Sequence, residues 1–589
     1  MASPNAKPQW RDDDAGAGEV VTYGEIRQLV LPVADLLLER AQGNAKHIAD
    51  LVPKLNELDE NFRDKIITLV TSAKSFSDED REIVRSAARE FLNWENSFNQ
   101  DGSKHDRYSA DKLRPLFDAL APDDLVIRHA WIFSNGWVAL PDGREDDYKE
   151  ADKSRAALRS MSIGEIYETL GWQGIDNLAK RCGEPRLVGW ELVKKPFDRG
   201  DLATWLCQWY VNLQNTSLFD SLTCGVLHAV PQEEFTDFLK ICLHLLEKQA
   251  KSPEKVAGFL ANAPQSMALW ELVEIQPPAV RDHFWLAVRP TYIQSDSDHL
   301  SFCMEKLLAA ARPRTAMEAL GDRATELPSD LLIRMLKGIA AGQEDDIALA
   351  QSWHIARVFE ALSKTDCAQS EMVSLEVAYY PILEHDKYGV PHLMAEILSV
   401  PESFMELICL AFKPRNAERE PIPENLHAAA ETAGSLIHSG RGVPGISSNG
   451  EIDSELFFSW INRVRDLAKE KDREAVTDLT VGAWLFDWPL NKGLECWPDP
   501  VIAALLDQDD CEDIRRGFHR GVHSSRGVTS RMPYDGGKQE REVAEEFRRF
   551  SSHWKDSKPN LAEMIENLAK SYEHEALRHD EDGLWTQES

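Results

Sequence analysis

Apolar residues recur along most of this chain at intervals of three and four, the spacing that gathers side chains on one face of an α-helix. Thr22-Tyr23-Gly24-Glu25 has the spacing of a capping box, and Ile26, Leu29, Val30, Val33 and Leu37 follow at helical period, with Pro32 expected to kink that helix or shift its start. Ser77-Asp78-Glu79-Asp80 marks a second start, ahead of the stripe Ile83, Val84, Ala87, Ala88, Phe91 and Leu92. The segment from Ile127 to Leu140, with Trp131, Phe133 and Trp137, reads as a packing surface. In the middle of the chain short periodic runs are separated by Gly, Pro, Asp or Ser; Leu331, Leu332, Met335, Leu336 and Ile339, for instance, end at Gly342. The chain closes on two stripes, Val543, Phe547, Phe550, Trp554 and Leu561, Ile565, Leu568, Tyr572, Ala576, with Asn560 placed to cap the second, which predicts an antiparallel helical hairpin.

Two-residue alternation bounded by tight turns is scarce, so a large sheet is disfavoured. The expected fold is all-α: a degenerate helical-repeat, α-solenoid-like array with a C-terminal helical domain ending in a helical hairpin. No repeat of fixed period is found. The expected organisation is a tail or linker over 1–18, an N-terminal helical domain over 19–150 and a central helical-repeat region over 151–412. A linker with exposed loops over 413–450, rich in Pro and Gly, then precedes a C-terminal helical domain over 451–589.

Composition changes this picture in three ways. With 589 residues, 43% hydrophobic and 28% charged, the chain is globular in type. Its formal charge of -33 would repel nucleic acid and anionic membrane faces, and the acidity is read first as a means of solubility. Nine scattered cysteines without a C-x-x-C pair argue against a disulfide framework or a cysteine zinc site and fit a reducing, cytoplasmic setting. The first thirty residues lack the charged and apolar blocks of an export signal, and apolar runs such as Met405 to Phe412 are too short to span a bilayer.

A search for chemistry returns mostly absences. The chain has no G-x-x-x-x-G-K-[ST], no G-x-S-x-G and no H-E-x-x-H, so no catalytic residue, cofactor or metal is implied. Ser109 and Lys112 match a bare S-x-x-K, but Ser109 is better read as a helix cap. His385 with His392, and His519 with His523, lack the further converging ligands a metal needs. Trp205 with Trp209, and Trp484 with Trp488, are read as core. The segment that departs most from its background is 515–531, which carries Arg515, Arg516, Arg520, Arg526 and Arg531 with His519 and His523 and no acid. Gly517, Gly521 and Gly527 would allow tight turns there, and guanidinium forks suit carboxylates or phosphates. Two readings stand: an internal anchor in which these arginines pair with acids such as Glu540, Glu542 and Glu545, or a partner or anion-binding loop made of Arg515, Arg516, Arg520, His523, Arg526 and Arg531.

Several short stretches carry a resemblance: Lys7-Pro8-Gln9-Trp10-Arg11-Asp12, Arg128-His129-Ala130-Trp131-Ile132-Phe133, Arg312-Pro313-Arg314-Thr315-Ala316, Phe412-Lys413-Pro414-Arg415-Asn416, Gly521 to Val528 with Gly536 to Arg541, and Ser571 to Ala576. The chain resembles the C-terminal helical sensor half of large bacterial STAND-type NTPases of antiphage and conflict systems, without their NTPase and effector parts. The resemblance implies a non-catalytic sensor or regulatory module of a bacterial defence system that binds a protein partner, either a phage protein or a defence effector. The alternative it leaves open is a stand-alone adaptor or regulatory substrate in a defence or CRISPR-linked cassette, cut by a protease in 413–450. A third reading is an unrecognised enzyme using the 515–531 loop.

Overall fold

The computed structural model describes residues 33–58, 60–98, 108–143, 148–212, 216–250, 252–290, 297–344, 352–416, 426–447, 450–486, 497–525 and 536–585. Among them the regular elements are α-helices and short 3-10 turns, with one isolated bridge between Ile446 and Ile452, so the fold is all-α. The tail over 1–18 and the first capping signal at Thr22 lie outside the described residues. The second start is formed as the spacing predicts: Asp80 N donates to Ser77 Oγ at 3.2 Å, and the helix Asp78–Phe98 follows.

The chain divides into two compact units, Met1–Ala310 and Ala311–Ser589, a boundary inside the stretch 151–412 that was expected to be one region. In the first unit a core from Leu38 to Leu120 joins Ile48, Phe62, Ile66, Val84, Phe91 and Leu113. Beyond it, helices pack on the next but one: Pro185–Val193 on Thr216–Ala229, Arg199–Asn212 on Gln232–Gln249, and Pro253–Ala261 on Pro278–Ala287. Such local, sequential pairing is how a helical array buries one face per element. Trp205 and Trp209 are buried core residues, with Trp205 stacked on Trp172 at 4.7 Å.

The second unit holds a core running from Tyr380 to Tyr572. The stretch 413–450 has exposed residues at its described ends, Arg415, Asn416, Ser447 and Gly450 among them, and is packed at its centre. Its described part contains the helix His427–Ser439, whose Ala433 and Leu436 enter that core together with Val443. Trp484 explains the glycines: its indole Nε1 donates to Ile437 O at 3.0 Å, and a Cβ on Gly440 would lie 2.5 Å from the same ring. Gly440 here serves close packing rather than a turn. The helices Lys538–Trp554 and Pro559–Trp585 form the closing hairpin, antiparallel by the pairing of Arg541 with Asp580, Arg548 with Glu573 and Ser551 with Ala562.

Several helices, among them Pro313–Leu320, Pro391–Ser399 and Pro559–Trp585, open on a proline, which has no N–H to satisfy and a φ already suited to the first turn. In these three the next two amides are received by a carboxylate from elsewhere. Glu344 accepts from Arg314 N and Thr315 N at 2.9 and 3.0 Å, and Glu376 accepts from His392 N and Leu393 N at 3.3 and 2.6 Å. Asp507 accepts from Asn560 N and Leu561 N at 2.9 and 3.3 Å. Asn560 is therefore inside its helix and not the cap. The Asn560 side chain turns back to Asp507 O and Asp509.

Candidate binding groove

The segment singled out by its arginines is a helix, Glu512–Ser525, as far as it is described; Arg526 and Arg531 lie outside the described residues. One face of the helix, Ile514, Phe518 and Val522, is buried. Gly527 lies outside the described residues; Gly517, expected to allow a turn, instead lets two backbones touch. A Cβ on Gly517 would stand 2.1 Å from Leu479 O, and one on Gly482 would stand 2.0 Å from Ile514 O, so this helix and Glu474–Leu485 cross with no side chain between them.

That crossing fixes where each candidate side chain goes. Arg515 folds inward, with Nη1 donating to Leu506 O at 2.8 Å and Gln508 O at 2.6 Å, the open carbonyls beyond the helix Pro500–Leu506. His523 lies flat on Tyr572, ring centroids 5.4 Å apart, with Nε2 3.3 Å from Glu575 Oε1. Both residues are internal ties, and both use partners other than the acids 540 to 545. Arg516 pairs with its helical neighbour Asp513, at 2.7 Å, and is 65% exposed; Arg520 is exposed. The structure thus splits the set: two side chains hold the helix down and two face solvent. His519, which the candidate set left out, sits beside them, and burial reinforced by repulsion from His523 pushes its pKa down, so the ring is neutral at physiological pH.

Between this helix and Pro559–Trp585 runs an open groove of about 590 Å³. Arg515, Arg516, His519 and Glu512 line one side, and Asn560, Glu563, Met564 and Asn567 line the other. Two carboxylates share the lining with two guanidiniums, so a free anion would gain little field there. Side-chain amides, a thioether and charges of both signs suit a folded or extended protein segment instead. The asparagine and glutamate wall had no signal in the sequence, because it follows only from which turn of the last helix meets this one.

The other sequence candidates are structural. Lys112 reaches Asp64 at 3.0 Å, and Ser109 lies inside the first turn of Tyr108–Ala119 rather than before it. His392 Nδ1 is 2.9 Å from Gln369 Oε1. Trp484 is core, and Trp488 lies outside the described residues. Among the described residues no group of three His, Cys, Asp or Glu side chains is placed to hold a metal, the cysteines are free thiols, and no helix is long and apolar enough to cross a membrane. Compared with known proteins, the chain matches no family model, no curated protein and no solved structure.

Proposed function

We propose that this chain is a non-catalytic, protein-binding sensor or regulatory module of a bacterial defence system, and that its partner docks along the groove between Glu512–Ser525 and Pro559–Trp585. The observation that carries the docking site is the division of labour on the first of these helices: Arg515 and His523 hold it in place while Arg516 stands in solvent at the groove and Arg520 is exposed on the same helix. Guanidiniums on a pinned helix lose little further freedom on binding, which favours them as recognition groups. The defence setting rests on the resemblance to STAND-type sensor regions.

The test is a phage-protection assay with the complete system, comparing the parent with an R516E/R520E double variant. Exposed substitutions of this kind change stability by about 0.5 kcal/mol or less, so the variant folds and melts as the parent does. Loss of protection with an unchanged melting temperature, accompanied by loss of photo-crosslinking from position 567 on the opposite wall to a defence or phage protein, is the expected result. Full protection by the double variant sinks the proposal.

A further inference from the structure

The first unit contains a concave site that the groove reading does not use. It is a pocket of about 490 Å³ enclosed by the helices Asp78–Phe98, Tyr108–Ala119, Leu125–Ala130 and Tyr148–Arg181 and by the turn Leu140–Gly143. That volume lies in the ordinary range for small-molecule sites.

Its walls are fixed by hydrogen bonds that run between elements. Arg85 donates to Phe117 O at 3.2 Å and Arg128 O at 3.1 Å, and Arg128 donates to Pro122 O at 2.7 Å. Arg155 and Arg159, both buried, hold Val138 O and Ile132 O at 2.9 Å each. Asn93 and Asn96 hold Leu140 O and Pro141 O, also at 2.9 Å each, and the turn ends on Gly143 at φ 72°, where a Cβ would strike the backbone of Asn96. The pocket is therefore shaped before anything enters it.

Its chemistry is mixed in a definite way. Phe117, Ile132, Leu140 and Met161 give it an apolar lining. Over the Phe117 ring stand two guanidiniums from different helices, Arg85 at 4.5 Å and Arg114 at 5.8 Å, and Arg128 lines the same cavity. The acids in the lining, Asp118 and Asp142, are exposed; Glu82 pairs with Arg85 at 3.1 Å and Glu165 stands 3.4 Å from Arg128, which leaves Arg114 as the lining cation whose acidic partner lies farthest in solvent. The arginines differ in how far they are committed. Arg85 is buried and fully engaged, whereas Arg114 is 40% exposed and has Asp142 beside it at 2.9 Å without the alignment of a hydrogen bond. Asp142 is itself 68% exposed. A ligand oxygen could take over that guanidinium at little cost.

We infer that this pocket binds a small organic anion, an apolar or aromatic body bearing a carboxylate or phosphate group, with Arg114 as the residue that grips the charge. Ser162, His129 and Glu165 form the polar floor beneath it: Ser162 Oγ is 2.9 Å from His129 Nδ1, and His129 Nε2 is 2.8 Å from Glu165. This trio has the residue types of a hydrolytic triad, but Ser162 sits mid-helix, is 1% exposed and also donates to Leu158 O at 2.8 Å, so it braces the floor instead of attacking a ligand.

The experiment is titration calorimetry on the full chain with benzoate, phenyl phosphate and, as neutral control, phenol. Saturable 1:1 binding of one or both anions is expected, with phenol at least tenfold weaker, and the better anion tells carboxylate from phosphate chemistry. R114Q, which removes a half-exposed charge and leaves the buried arginines in place, should weaken that anion at least tenfold at an unchanged melting temperature, while R516Q in the other unit has no effect. Absence of saturable binding for both anions, equal binding of phenol, or equal affinity in R114Q each overturns the inference.

Discussion

Glu376 has no exposed surface, yet both its oxygens are engaged, by Tyr388 Oη at 3.0 Å and by the His392 and Leu393 amides. Removing it leaves two helix-start amides buried without acceptors, so E376A should lose about 1 to 3 kcal/mol in urea denaturation. A loss no larger than that of an exposed glutamate would contradict the capping role. Asp478 offers a pH signature. Burial raises its pKa from 3.8 to about 6 against the pull of Arg465, so it contributes stability that is full below about 3.8 and is lost as pH rises through about 6. The loss amounts to roughly 3 kcal/mol. Because Arg465 keeps Asp510 at 2.8 Å, D478N strands no charge and should flatten the fall in stability between about pH 4 and 6. Parent and variant curves that stay parallel over that range would disprove the assignment.

At the level of elements, the glycine crossing makes the sharper case. In an exposed helix Gly→Ala gains about 1 kcal/mol from propensity. At Gly517 the new methyl would instead meet a carbonyl oxygen at 2.1 Å, and overpacking of that kind costs typically 1 to 3 kcal/mol, so the steric term wins. G517A should therefore be less stable than the parent by equilibrium unfolding; a stabilised variant would mean the helices do not touch. These two elements also show what the sequence could and could not convey. The stripes of the closing hairpin were legible because period alone decides them. Arg515 to Arg531 stood out by charge, but the glycines among them were read as turns, since a glycine required by a neighbouring backbone looks the same in sequence as one required by φ. Within 413–450, likewise, nothing local reveals that Trp484 lies against Gly440. The groove's second wall and the basic pocket are products of tertiary meeting alone. No spacing along the chain links Arg85, Arg114 and Arg128.

For the molecule as a whole, the excess of 99 acidic over 66 basic side chains sets the response to salt. Exposed ion pairs such as Arg463 with Glu402 contribute little and weaken with screening. The unpaired remainder repels itself over a distance that shrinks from about 30 Å at 0.01 M to about 8 Å at 0.15 M. Repulsion wins, so the melting temperature should rise by at least about 2 °C across that range; a fall would show that the attractive pairs dominate. The distant caps carry a last consequence, for the order of events as the chain leaves the ribosome. The helix Pro313–Leu320 has no capping carboxylate for its first two amides until Glu344, 29 and 30 residues downstream of them, has emerged. Pro559–Trp585, by contrast, meets an Asp507 already waiting. Helices whose start signals sit elsewhere in the chain complete themselves only as their neighbours dock, which ties local winding to global assembly and makes each such end a small checkpoint in biosynthesis.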